Sequence, residues 1–190
     1  MQESSMNTVN LRIFRILALA VCLFLPGCSQ PGTGSLSEEP TYTLAFSPHG
    51  ESLELVLSCI KSAEHSILVA AYSFTSKPVA LALADARQRG VAVRVVADKK
   101  SNNSRYTAVT YLANHSVPVR LNGRYAIHHH KFMIIDGRHV QTGSFNYSAA
   151  AVDKNAENVL VLRDAPELAA KYASEWQRLW DEAEPLPSKY

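Results

Sequence analysis

The sequence predicts an α/β domain: a layered, mixed β-sheet flanked by helices. Three observations predict it. Short apolar runs alternate with helix-period stretches over residues 42–122. Asp136-Gly137 joins two extended runs, the pattern of a tight antiparallel hairpin. A last strand-like run, "ENVLVLR", precedes a long amphipathic stretch near the C-terminus. Strand–helix alternation calls for parallel neighbours and the hairpin adds antiparallel ones, so the sheet is mixed.

The elements follow in order. "YTLAFS" (Tyr42 to Ser47) alternates and is rich in strand formers. In "ESLELVLSCIKSAE", Leu53, Val56, Leu57 and Ile60 form one helical stripe. "SILVAAYSF" (Ser66 to Phe74) is almost wholly apolar, as a strand covered on both faces must be. "TSKPVALALADARQRG" opens with hydroxyl residues and Pro78 and closes with Arg89-Gly90, which are helix start and stop signals. "VAVRVVAD" is a further strand, followed by the polar loop "KKSNNSR", a helix around Tyr106 to Ala113 and the strand "VPVRLN". In "PELAAKYASEWQRLWDEA", Leu168, Tyr172, Trp176, Leu179 and Trp180 share one helical face.

The folded domain is expected over 41–184, with a short tail at 185–190. Residues 1–28 read as an export signal: Arg12 and Arg15, an apolar run from Ile16 to Leu25, then "LPGC". The run falls short of the roughly 20 apolar residues that span a membrane. "LPGC" resembles a bacterial lipobox, which makes Cys28 the lipidated residue and gives a membrane partner through an N-terminal lipid anchor. Ser29 after it points to an outer-membrane lipoprotein facing the periplasm. Pro26 is unusual in that position, so simple cleavage to a soluble periplasmic or secreted protein, or an uncleaved anchor, stays open. Met6 is an alternative start. Residues 29–40, rich in Ser, Gly and Pro, read as a flexible tether.

The chain holds 19 Lys+Arg and 17 Asp+Glu. Removing Arg12, Arg15 and Glu3 with the signal leaves 17 and 16, a net +1. Global charge therefore does not announce a nucleic-acid binder, and an anionic partner must be met by a local patch. Cys59 is the one cysteine left in the domain, on an apolar helical face; it forms no intrachain disulfide in the processed chain and reads as a buried structural thiol.

The chemistry concentrates in "HHHKFMIIDGRHVQTGSFN", from His128 to Asn146. With Asp136-Gly137 as a two-residue turn, Ile135 pairs with Arg138, His129 with Ser144 and Lys131 with Thr142. One face then displays His129, Lys131, Thr142, Ser144 and Asn146, while Asp136 sits in the turn with the opposite parity. A one-residue bulge would undo this. An imidazole, an ammonium, hydroxyls and a carboxamide on one face suit an anion, and phosphate best. His128 and His130 also share a face, but no Cys/His set at suitable spacing completes a metal site, and no cofactor is expected.

"HHK", four residues, Asp136, six residues and "GSFN" reproduce the signature HxK(x)4D(x)6GSxN of the phospholipase D superfamily. The chain resembles the bacterial Nuc-type endonucleases within it over about Tyr42 to Trp180, including "AYSFTSKPVALAL" and "GSFNYSAAAVDKNAENVLVL". The lipobox and tether are outside the family pattern. The resemblance implies a phospholipase D-like half-domain that dimerises, and a metal-independent phosphodiesterase in which His129 attacks phosphorus. It implies that Lys131 and Asn146 hold the non-bridging oxygens, that Ser144 lines the pocket, and that Glu157 accepts the second ring N–H of His129. Asp136 belongs to the signature, and its parity points to a supporting role. One motif per chain implies a homodimer with the active site at the interface. The implied substrate is DNA or RNA, with Lys99, Lys100, Arg105 and Arg124 as candidate backbone contacts. A phospholipid-acting hydrolase and a catalytically silent anion-binding or nucleic-acid-binding lipoprotein are the rivals.

Overall fold

A computed structural model describes residues 39–48, 50–104 and 107–188. The signal, Cys28, tether residues 29–38 and Arg105 lie outside them.

Eight strands form one sheet in the order β1-β7-β6-β5-β2-β3-β4-β8. The strands are β1 (Thr41–Ser47), β2 (Ser66–Ala71), β3 (Ala92–Asp98), β4 (Val119–Asn122), β5 (Phe132–Ile135), β6 (His139–Gly143), β7 (Glu157–Arg163) and β8 (Glu184–Pro185). The helices are α1 (Ser52–Lys61), α2 (Lys77–Gln88), α3 (Ala108–Asn114), α4 (Ala149–Asp153) and α5 (Pro166–Asp181). β2, β3 and β4 are parallel to one another, and the other pairings are antiparallel. The sheet is mixed, as the sequence predicts. None of these helices is long and apolar enough to cross a membrane.

Local chemistry starts the helices where the sequence places them. The Ser76 hydroxyl accepts the Val79 N–H, with Pro78 in the first turn, and Thr107 caps α3 in the same way. Two apolar layers result. Val56, Ile60, Leu83 and Leu112 of α1, α2 and α3 pack on Ile67, Val69 and Val95. On the opposite face, Trp176 and Leu179 of α5 cover Ala70, Val96, Phe132, Ile134 and Val140. The Trp176 indole N–H donates to the Val69 carbonyl at 2.9 Å, which fixes α5 against the middle of the sheet.

Three local expectations are corrected. The strand expected to reach Phe74 ends at Ala71, because the chain then turns to other partners: the Phe74 N–H donates to Asn102 Oδ1, and the N–H groups of Thr75 and Ser76 to the Tyr147 carbonyl. The fold also continues across 184/185, where β8 pairs with Arg120 and Leu121 of β4.

The third correction concerns the hairpin register. Ile135 pairs with His139, not Arg138, and Phe132 with Thr142. Asp136 and Gly137 both adopt positive φ, 53° and 65°. Arg138 is drawn out of the ladder: its carbonyl accepts the Ala165 N–H and its guanidinium pairs with Asp164 at 2.5 Å. One residue more in the turn shifts every pairing, so Lys131 does not face Thr142 and His129 does not face Ser144.

Asp136 itself is a latch. Its carboxylate accepts the backbone N–H groups of Glu64, His65 and Ser66 at 3.0, 2.8 and 2.8 Å, tying the hairpin turn to the start of β2. Partial burial pushes its pKa up, but the three N–H bonds outweigh this and the net shift is downward. The stabilisation is therefore complete above the unfolded carboxylate pKa, roughly 3.9, and is lost as pH falls through the lower folded value. Asp136→Ala is expected to destabilise the fold by about 2–3 kcal/mol at neutral pH, with the difference from wild type shrinking in acid. Chemical denaturation at pH 7 and pH 3 measures it.

Candidate active site

Strand direction gathers the candidate residues. The parallel strands β2 and β3 end at the same edge, and so does β6; β5 and β7 begin there. Ligands in open α/β sheets sit outside the carboxyl ends of parallel strands, and the histidine segment crosses that edge.

Its three histidines point three ways. His128 is buried, with neither ring nitrogen hydrogen-bonded. Burial, reinforced by His130, pushes its pKa down to about 4, against the pull of Asp98 and Glu175, so it is neutral at pH 7. His130 reaches α5, with Nε2 3.3 Å from Glu175 Oε1. His129 is exposed, its ring packed on Tyr72 with centroids 4.6 Å apart.

The segment is held from β3. Asp98 is 2% exposed; one carboxylate oxygen accepts the His128 N–H at 2.8 Å and the other the Ser101 N–H at 2.7 Å. Buried Asn102 donates to the carbonyls of Tyr72 and Asp98 at 2.6 and 2.9 Å. Asp98 and Asn102 thus hold the main chain of the histidine segment and of Tyr72, whose ring packs on His129. The sequence offers one signal for Asp98, a carboxylate closing a largely apolar strand; Tyr72 and Asn102 show none beyond their loop positions.

Lys131 is 6% exposed. Its ammonium donates to the His129 carbonyl at 2.7 Å and stands 5.0 Å from the centre of the Tyr72 ring. Burial lowers its pKa, and the charge of Glu157 opposes that. A groove beside α5 is lined by His129, Lys131, Thr142 and Gly143, together with residues of α5. Thr142 therefore joins His129 and Lys131 as expected, although the path of the loop achieves it and strand parity does not.

Ser144, Asn146 and Glu157 follow a sharp bend at Gly143. Its φ is +147°, and a Cβ there would lie 2.2 Å from the Asn158 carbonyl oxygen, so the position requires glycine. The Ser144 hydroxyl donates to Glu157 Oε2 at 2.5 Å and accepts the Asn158 N–H at 3.1 Å. Asn155 donates to the other Glu157 oxygen at 2.9 Å. Glu157 therefore braces Ser144, and among the described residues no hydrogen bond joins it to His129. Asn146 keeps a buried Oδ1 with no hydrogen-bond partner.

Asp136 does not join this group. It lies beyond the far end of β5, about 16 Å from Lys131 at strand rise. Of the proposed backbone contacts, Lys99, Lys100 and Arg124 follow β3 and β4 at the edge where the histidine segment lies. Lys99 pairs with Glu184 at 2.7 Å, Arg124 with Glu182 at 3.8 Å, and Lys100 donates to the Ala126 carbonyl at 3.2 Å. Among the described residues, no three His, Cys, Asp or Glu side chains cluster so as to hold a metal ion.

Residues 56–180 match the family described as "Cardiolipin synthase, PLD-like domain". A phospholipase D of Rickettsia bellii is 36% identical over 131 residues, covering 69% of this chain and 65% of its own length. A mitochondrial cardiolipin hydrolase of Danio rerio is 33% identical over 145 residues, covering 75% of this chain and 63% of its own. The chain thus spans just under two thirds of these relatives. Among solved structures, a phospholipase D family member, Nuc from Salmonella typhimurium, superposes with a TM-score of 0.77 at 40% identity, covering 79% of this chain and 100% of that one. NucT from Helicobacter pylori gives 0.70 at 30% identity, covering 78% and 100%.

Proposed function

The chain belongs to the phospholipase D superfamily of hydrolytic phosphodiesterases, and on that premise we propose that it is a metal-independent endonuclease acting on DNA or RNA. The observation that carries the reading is the exposed His129 beside the buried Lys131 in one groove. An imidazole nucleophile and a fixed cation beside it are what an anionic phosphodiester needs. The 40% identity across the whole of Nuc favours nucleic acid. The names of the Rickettsia and Danio relatives favour a phospholipid, and that is the second reading.

In the proposed reaction, the neutral His129 ring nitrogen attacks phosphorus. The N–P bond forms as the P–O bond to the leaving group breaks, and a protonated histidine gives its proton to the leaving oxygen. The resulting neutral histidine then takes a proton from water as the water oxygen attacks phosphorus and the N–P bond breaks. Lys131 and the Asn146 amide stabilise the negative oxygens throughout, and Ser144, braced by Glu157, lines the same site.

Two histidines in different roles, and one motif per chain, support a homodimer with two His129 side chains at one site. The face that α5 leaves open supports the same arrangement. Tyr42, Leu44 and Phe46 of β1 are 72%, 48% and 60% exposed, and they pair with Leu162, Leu160 and Asn158 of β7. This apolar strip ends beside Glu157, next to the site, and a second copy is the occupant proposed for it.

Purified protein incubated in parallel with plasmid, RNA and phosphatidylcholine tests the function. Cleavage of a nucleic acid that persists in EDTA is expected. Hydrolysis of lipid alone, or complete loss with chelator restored by Mg²⁺, overturns the reading. For the N-terminus, lipidation at Cys28 and outer-membrane attachment are proposed from "LPGC" and Ser29. Metabolic lipid labelling should mark wild type and not Cys28→Ser; an unlabelled wild type favours simple export.

A further inference from the structure

We propose that Lys171, on the wall of the groove formed by α5, holds a backbone phosphate of the substrate strand adjacent to the one that reacts, so that the strand runs along α5. This rests on the endonuclease reading above. Lys171 lines the same groove as His129 and Lys131. It is exposed and, among the described residues, has no ion pair.

The other candidate backbone contacts are not free in that way. Lys99 and Arg124 are matched by Glu184 and Glu182, and the Lys100 ammonium is bonded to a carbonyl. The carboxylate on the groove wall, Glu175, is held by Arg178 at 2.6 and 2.9 Å and faces His130 at 3.3 Å. A polyanion entering the groove therefore meets an acid that is already neutralised and a base that is not.

The spacing suits a strand. Glu175 meets His130, the neighbour of His129, and Lys171 lies one turn earlier on α5, about 6 Å along the helix axis. A single strand spaces its phosphates more widely than the roughly 3.4 Å axial rise of a duplex, so one turn of helix is on the scale of one phosphate step. The groove is also lined by Leu168, Tyr172 and Phe132. Tyr172 packs edge-on against Phe132 at 4.9 Å, which fixes an aromatic ring in the wall where a base can stack.

The test uses full-length His129→Ala protein, which binds without cutting, and a short single-stranded DNA. Affinity is measured by fluorescence anisotropy over a range of salt. Adding Lys171→Gln is expected to weaken binding and to lower the log–log salt slope by about 0.7, the contribution of one phosphate contact on a single strand. Lys61→Gln, at the end of α1 and the opposite edge of the sheet, should leave the slope unchanged. Binding with the same slope in Lys171→Gln overturns the inference while leaving the endonuclease reading in place. An equal fall in Lys61→Gln also overturns it, because net charge would then account for the effect. Failure of the parent protein to bind any strand, with binding to cardiolipin-containing vesicles instead, removes the endonuclease reading and this inference with it.

Discussion

His129→Ala is expected to lower kcat by about 10⁴–10⁶-fold, the range for loss of a nucleophile that also serves as a proton-transfer group. The ring is exposed and, among the described residues, Tyr72 is its aromatic contact, so its removal should leave the fold intact. Subunit mixing then separates two forms of the reaction. Wild type and His129→Ala refolded in equal amounts give about a quarter wild-type dimers, half hybrids and a quarter mutant dimers, on random two-fold pairing. If the two His129 rings act as a pair, hybrids are dead and activity falls to about a quarter of an all-wild-type sample. Activity near one half, with mixing confirmed by native mass spectrometry, would show that each chain works alone. Because one imidazole must be neutral and the other protonated, the pair should give a bell-shaped dependence of kcat/KM on pH.

Lys131→Met is expected to cost about 10²–10³ in kcat, the loss usual for one fixed oxyanion-stabilising group, with a smaller change in KM. Stability should respond in the opposite direction. Lys131 is buried as a residue and its pKa is lowered, chiefly by burial. A folded-state pKa below the unfolded one means that the charge opposes folding at neutral pH, and that stability rises as pH climbs from the folded to the unfolded value. Methionine has similar length and no charge, so the unfolding midpoint of Lys131→Met should hold or rise. A variant that loses activity and melts earlier would contradict the role assigned to Lys131. Thermal unfolding and steady-state kinetics on the same preparation decide it.

Much of this was legible in the amino-acid order. The apolar run beginning at Ser66, the Ser76 hydroxyl ahead of α2 with Pro78 in its first turn, and the stripe ending at Trp180 are local signals, and the structure agrees with each except for the end of the first, which lies at Ala71 and not Phe74. The hairpin register was not legible, because it depends on Arg138 meeting Ala165 and Asp164 from a distant part of the chain. For the same reason the supports of the site escaped notice. Asp98 and Asn102 act on residues about 30 positions away, through main-chain groups that carry no residue code. Glu157 was found as a position, but its partner proved to be Ser144, a choice made by the bend at Gly143.

The four residues between Lys131 and Asp136 are β5 itself, which pairs with β2 on one side and β6 on the other. The fixed interval in the signature is therefore a ruler. It measures the width of the sheet between a working end and an anchoring end. Insertion or deletion of one residue would leave every functional group chemically unchanged, yet it would turn Phe132 and Ile134 away from Trp176 or pull the turn from its three N–H donors. The span from Lys131 to Asp136 thus answers to catalysis at one edge and to folding at the other, so a single string of letters meets two separate demands.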